Sequence, residues 1–207
     1  MFTPKHFEEA DTGVLQDLID ANPFGILIGH QDGAPFATHI PFVLDRTAGP
    51  NGTLVAHVAK ANPHGAMFDG ETPMLAIFEG PHAYISPRWY APGDAVPTWN
   101  YAVVHAYGAA HPVTDIATVR AQQEMLIAAF EGTGPGAWTM DGQPDRYVAG
   151  MLRGVSAFEM PIERIEGKFK LSQNRPAGDR TRVADALAES AIETERDLAA
   201  LMKSRED

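Results

Sequence analysis

The hydrophobic pattern changes period along the chain. Strand-like runs are predicted over Phe24 to His30, Phe36 to Leu44, Thr53 to Ala59, Met74 to Phe78 (extended by Ala83 to Ile85), Thr98 to Tyr107 and Val155 to Ile165. In the last of these, alternation sets Phe158, Met160 and Ile162 toward one face. Gln31-Asp32-Gly33 reads as the turn of a hairpin joining the first two runs. Helical spacing takes over in Asp11 to Ala21, where Val14, Leu15, Leu18 and Ile19 share a face and Asn22-Pro23 stops the element. Asp115 to Phe130 repeats the pattern with Ile116, Val119, Gln123, Leu126, Ile127 and Phe130. Shorter helices are expected from Asn62-Pro63 to Phe68 and over Pro144 to Leu152, and a final Ala- and Glu-rich helix over Arg180 to Lys203. Loops cover Arg46 to Gly52 and Ser86 to Val96, and Gly132 to Gly136 breaks the long helix.

These elements predict a mainly β, α+β fold: a closed or half-closed barrel with helices packed outside. A doubly wound parallel fold fits poorly, because the first strands follow hairpin turns rather than helical crossovers. No repeat or low-complexity segment interrupts the 207 residues, so one domain over residues 1–207 is expected, with residues 176–207 as a C-terminal helical segment within it.

Composition narrows the function. Hydrophobic residues make up 44% and charged residues 21%, as in ordinary globular proteins. No apolar run reaches the ~20 residues of a membrane helix, and the start of the chain lacks a signal-like apolar core, so a cytoplasmic protein without a membrane partner is expected. Cysteine is absent, which excludes disulfides and thiolate metal sites. The formal net charge of -11 opposes direct binding to DNA, and no basic recognition helix is visible. One basic cluster, Lys168, Lys170, Arg175, Arg180 and Arg182, suits a single anionic ligand better than a duplex.

The densest chemistry lies between Phe78 and Tyr107. Tyr84, Ser86, Trp89 and Tyr90 on one side, and Trp99, Asn100 and Tyr101 on the other, are rings interleaved with polar tips. Such a set grips a flat, polar-edged ligand, or it forms an aromatic subunit interface. Alternation divides it: Trp99, Tyr101 and Val103 face one way, Thr98, Asn100 and Ala102 the other, so that Trp99 is expected to pack and Asn100 to hydrogen-bond. Eight histidines are present, none in a zinc-binding H-E-x-x-H motif, and no metal site is expected. Neither a G-x-S-x-G motif nor a Gly-rich phosphate loop occurs, so redox chemistry would have to come from a cofactor.

Several blocks carry a family resemblance. M-F-T-P-K-H-F, H-V-A-K-A-N-P, G-P-H-A-Y-I-S-P-R-W-Y, V-P-T-W-N-Y and G-K-F-K-L-S-Q-N-R resemble the PaiB family of FMN-binding negative transcriptional regulators, over roughly Met1 to Leu187. The family pattern has Ser before the tryptophan of the third block; this chain has Arg88. The resemblance implies an FMN-type split β-barrel acting as a homodimer, with FMN at the subunit boundary. It implies phosphate binding by Lys60, with Asn62 and the following turn, His57 and His64 flanking that turn, and Thr38 and His39 passing the isoalloxazine. Lys168 and Lys170, sharing a strand face continued by Ser172, match a basic element near the substrate of flavin-barrel oxidases. The cofactor-binding set implied by residues and resemblance together is Thr38, His39, His57, Lys60, Asn62, Tyr84, Ser86, Trp99, Asn100, Lys168 and Lys170. The bland readings are a surface Lys60, a capping Asn62, a strand His39 satisfied by a carbonyl, and a solvated charged strand for Lys168 and Lys170.

Three functions follow as expectations: a PaiB-type regulator acting through a small molecule or protein partner, an FMN-dependent oxidoreductase with catalytic residues undetermined, or a relative that holds no cofactor or holds haem.

Overall fold

The Asp32-Gly33 turn sets the register of the first hairpin. Both residues take positive φ (51° and 79°), the conformation that matches the twist of a two-residue loop, and Gln31 pairs with Ala34 across it. In the computed structural model, which describes residues 1–205, the strands are β1 (Glu8–Glu9), β2 (Phe24–Gln31), β3 (Ala34–Pro41), β4 (Val43–Asp45), β5 (Thr53–Ala59), β6 (Pro73–Ile85), β7 (Thr98–Ala109), β8 (His111–Val113), β9 (Val155–Pro161) and β10 (Arg164–Lys170). The helices are α1 (Thr12–Ala21), α2 (Ile116–Glu131), α3 (Asp145–Arg153), α4 (Ala177–Ala188) and α5 (Glu193–Lys203). One sheet has the order β1-β10-β7-β6-β2-β3, and the other β4-β5-β9-β8.

Four departures from the sequence reading have local causes. The run Phe36 to Leu44 breaks at Phe42, so β3 and β4 belong to different sheets. Val155 to Ile165 likewise divides into β9 and β10 around Ile162, whose amide donates to Gly52 O (3.0 Å). Ala83 to Ile85 extends Met74 to Phe78 in one strand as read, but the inside–outside alternation slips by one residue between Gly80 and Ala83. The final helix is two helices, because residues 189–192 leave the helical path after Leu187; the last two residues of the expected C-terminal segment lie outside the described residues.

The chain divides into two compact units. Unit 1 comprises residues 1–18, 79–104 and 166–207; unit 2 comprises residues 19–78 and 105–165. Unit 1 is organised by α1, by the outer halves of β6 and β7, and by the α4–α5 pair. Leu15, Ile85, Leu187 and Leu198 are fully buried there. Gly167 is required at its position, since a Cβ would stand 2.2 Å from Leu15 Cδ2 and 3.0 Å from Glu9 O.

Unit 2 has an aromatic core. Phe42 meets Phe78 edge-on (centroids 5.3 Å) and Phe158 nearly perpendicularly (6.4 Å), while Phe68 lies 4.3 Å from Phe158. The three predicted inward residues of β9 and its continuation, Phe158, Met160 and Ile162, are at most 2% exposed. On α2, Val119, Gln122 and Leu126 turn inward, but Ile116 and Phe130, at the ends of the predicted apolar stripe, are exposed.

Candidate functional site

The exposed half of unit 1 is built by β6 and β7. The slip in β6 puts Glu79, His82 and Tyr84 on the outer side, and β7 presents Trp99, Tyr101 and Val103 outward while Asn100, Ala102 and Val104 turn in. Glu79, Gly80, His82, Trp99, Tyr101, Ala102 and Val103 line a cavity of about 380 Å³. Gly80 lets β6 pack closely on its inner side: a Cβ there would reach Leu18 Cδ1 at 3.0 Å and Ala102 O at 3.3 Å. Trp99 is 53% exposed and Tyr84 45%. Their rings meet edge-on at 6.1 Å, and His82 lies 6.4 Å from Trp99. His82 is fixed through its Nδ1, 3.2 Å from Gly80 O.

The two lysines of β10 flank this face. Lys170 Nζ donates to Thr98 Oγ1 and to Trp99 O (2.7 Å), which ties down the start of β7. Burial, and then the neighbouring Lys168, hold its pKa below the ordinary lysine value. Lys168 Nζ donates to Phe2 O (3.2 Å) and stands 5.4 Å from the Tyr101 ring centroid. Ser172 leaves the strand face, because its φ of 66° turns the chain. Its Oγ accepts from Asn100 Nδ2 (2.8 Å), so Asn100 is a buried fold contact, with Oδ1 still without a partner among the described residues. Ser86 is buried, and its Oγ accepts from Arg88 N and Nε (both 3.3 Å).

Unit 2 holds a separate polar cluster. Thr38 Oγ1 and His64 Nδ1 share a 2.8 Å hydrogen bond, and Asn62 Nδ2 donates to the same hydroxyl (3.2 Å). Asn62 Oδ1 accepts from His64 N (2.9 Å), capping the 3-10 turn Pro63–Met67. Both ends of the Asn62 carboxamide are therefore engaged within the turn. His64 is fully buried under the Phe36 ring (4.7 Å), and burial depresses its pKa, with a backbone bond at Phe36 opposing. Lys60 is exposed, and its backbone amide donates to Gly154 O (2.8 Å). His39 points away from this cluster, exposed beside Phe24 (6.3 Å).

The predicted set is thus distributed. Thr38 and Asn62 come together in unit 2 with His64, which sequence reasoning noted only as flanking the turn. Trp99 and Tyr84 come together in unit 1. The cavity also uses Glu79, His82 and Tyr101. Glu79 follows the outward alternation of Pro73, Leu75 and Ile77, and the slip after Gly80 is what brings His82 and Tyr84 to its side, which strand periodicity does not foresee. His57 faces a different cavity, under α2 and α3. Among the described residues, no group of three or more His, Cys, Asp or Glu could hold a metal, and no helix is long and apolar enough to cross a membrane.

Known proteins place this geometry in a family. The chain is 29% identical over 205 residues to the protease synthase and sporulation protein PAI 2 of Bacillus subtilis, covering 99% of this chain and 98% of that protein. Its fold matches the flavocytochrome Anf3 of Azotobacter vinelandii (TM-score 0.63, 15% identity, 79% of this chain and 69% of that one). It also matches an FAD and heme binding protein of Mycobacterium smegmatis (TM-score 0.60, 17% identity, 84% and 78%). These likenesses establish a split β-barrel of the flavin-binding type, with peripheral helices. A family model described as "Putative FMN-binding domain" matches residues 1–164, and the chain belongs to that family.

Proposed function

We propose that the chain is a dimeric FMN-binding protein of the PaiB type, one split-barrel domain, that regulates through a small molecule or a protein partner rather than by contacting DNA. The observation that carries this reading is the ring-lined cavity on β6 and β7 in a chain of the FMN-binding family. Its volume of about 380 Å³ falls within the ~300–1,000 Å³ of small-molecule pockets. The residues fit a flavin ring: Trp99 supplies a half-exposed stacking face, and His82 and Glu79 offer polar edges. The exposed Trp99 and Tyr84 also suit burial by a second copy. Lys60 of unit 2, with Asn62 and Thr38 shaping its turn, is a separate phosphate-contact candidate assigned on the resemblance alone and tested on its own.

When bound, FMN supplies hydride and single-electron transfer. The chain's own part is to stack, orient and exclude water. Lys168 beside Tyr101 puts a cation near the ring face, and Lys170 fixes the strand end that carries Trp99. The acidic balance of the whole chain is what argues against DNA.

The visible spectrum of the purified protein, before and after addition of FMN, is the test. Bound flavin and a solution mass of two chains are expected, with Lys60→Ala weakening FMN retention and leaving the fold intact. A colourless protein that ignores FMN rejects the reading; unchanged affinity in Lys60→Ala rejects only the phosphate assignment. Bleaching by NADH or NADPH with turnover of a small substrate identifies an oxidoreductase, and flavin without turnover a sensor.

A further inference from the structure

Beneath α2 and α3, unit 2 encloses a second, smaller cavity of about 160 Å³. Its walls are largely apolar: Ile127, Met140, Val148, Leu152 and Val155, with Trp138, Tyr147 and Met151 at the rim. Three polar side chains, His57, Gln123 and Gln143, interrupt the lining. His57, from β5, has Nδ1 shielded from solvent, and Gln123, from α2, has Nε2 shielded in the same way. Neither nitrogen has a hydrogen-bond partner among the described residues.

Such a pair is out of place in a plain core. Buried polar groups are almost always paired, and Leu or Met would fill the space without loss. Met140, Val148 and Leu152 of this wall also pack with the buried Val119 and Ala157. Two orphaned nitrogens in one cavity imply a missing partner that belongs there. Burial also depresses the His57 pKa, so the imidazole is neutral near neutral pH and no charge awaits an ion. The rim residues Trp138, Tyr147 and Met151 are 44 to 57% exposed. A small molecule can therefore reach the cavity past soft, aromatic groups.

We infer that this cavity is a binding site for a neutral, single six-membered ring that carries hydrogen-bonding groups, such as a lactam. Size sets the first limit, since an apolar cavity of about 150 Å³ holds one benzene ring. Chemistry sets the second. Gln123 Nε2 can only donate, so the ligand presents an acceptor to it; a ring N–H or carbonyl answers His57 Nδ1, depending on the tautomer. The isoalloxazine, with three fused rings, exceeds the space, so this site is independent of the flavin reading.

The probes are 2-pyridone and, as an apolar control, benzene, each titrated into the full chain labelled with ¹⁵N. The readout is the indole resonance of Trp138, assigned by its loss in Trp138→Phe. A probe of about seven heavy atoms is expected to bind with a roughly millimolar Kd. A saturable shift with 2-pyridone is expected, weakened about tenfold in Gln123→Leu while benzene binding is kept or improved. His57→Gln, which keeps a polar group, retains 2-pyridone more fully than Gln123→Leu. Added FMN leaves the titration unchanged. The inference is overturned by a flat titration in the folded wild type, by equal 2-pyridone affinity in Gln123→Leu, or by competition from FMN, which would make the cavity part of the flavin site.

Discussion

Each unit contains a cluster of rings, and the two clusters are built on opposite terms. In unit 2, Phe42, Phe78, Phe68 and Phe158 are at most 5% exposed and carry no polar atom. In unit 1, Tyr84, His82 and Trp99 stand on the outer side of β6 and β7, about half-exposed where they are largest, with hydroxyl and ring nitrogens on display. Ring content alone does not distinguish a core from a site. Two things do: which way the strand alternation points the rings, and whether the polar tips are satisfied inside the protein. The Phe cluster holds the fold together by burial and edge-to-face contact. The Trp99 cluster leaves apolar area in water, which is tolerable only where something else covers it.

The sharpest way to break this contrast is to truncate one ring from each cluster. Phe158→Ala removes a fully buried ring and leaves a hole that its neighbours cannot close, so a loss of about 3–5 kcal/mol in unfolding free energy is expected in urea titrations. Asn100→Ala is intermediate. It deletes the buried donor to Ser172 at a residue already turned to positive φ, and a cost of roughly 1–3 kcal/mol is expected by the same measurement. Trp99→Ala should change stability by no more than about 0.5 kcal/mol, as at other surface positions, yet weaken FMN roughly tenfold by fluorescence titration. If Trp99→Ala destabilised the chain as much as Phe158→Ala, the exposed cluster would be core and the contrast would fail.

How far the sequence reveals this differs between the same two regions. The inward set Phe158, Met160 and Ile162 was legible, because strict alternation of apolar residues with Glu159 and Pro161 admits only one buried face. The β2–β3 turn was legible from Asp32-Gly33. The aromatic block of unit 1 was visible as unusual chemistry, and β7 alternation correctly separated Trp99 and Tyr101 from Asn100. The neighbouring half of the same cavity was not. Pro81 sits where β6 slips by one residue, so period-2 reading could not show that His82 and Tyr84 share the outer side with Glu79. Long-range pairing was equally hidden: nothing local to Asn100 or Ser172 says that they meet across 72 positions of sequence. In α2, the periodicity was right but the stripe was too wide, since the ends of an amphipathic helix overrun the surface they pack on, leaving Ile116 and Phe130 exposed.

The smallest expected effect sharpens the contrast from its polar side. The Thr38–Asn62–His64 cluster is the buried, mutually bonded counterpart of the exposed His82 edge. His64 meets Phe36, Thr38 and Asn62, none of them charged, and is fully buried. Its imidazole is therefore held neutral in the folded chain, with a pKa below the 6.5 of the free side chain. The unfolded chain takes up the proton first as pH falls, so it binds more protons than the folded chain just below 6.5. Stability is then full above that pH and declines as pH drops toward the folded-state value. Urea midpoints measured from pH 7.5 to 5.5 should fall in the wild type and fall less steeply in His64→Gln, which keeps an amide to meet Thr38. Some slope should survive, because burial also lowers the pKa of His57 and His105. Identical slopes in the wild type and His64→Gln would mean that the cluster opens to water when the imidazole protonates, and that the buried and exposed polar groups of this chain are not different in kind.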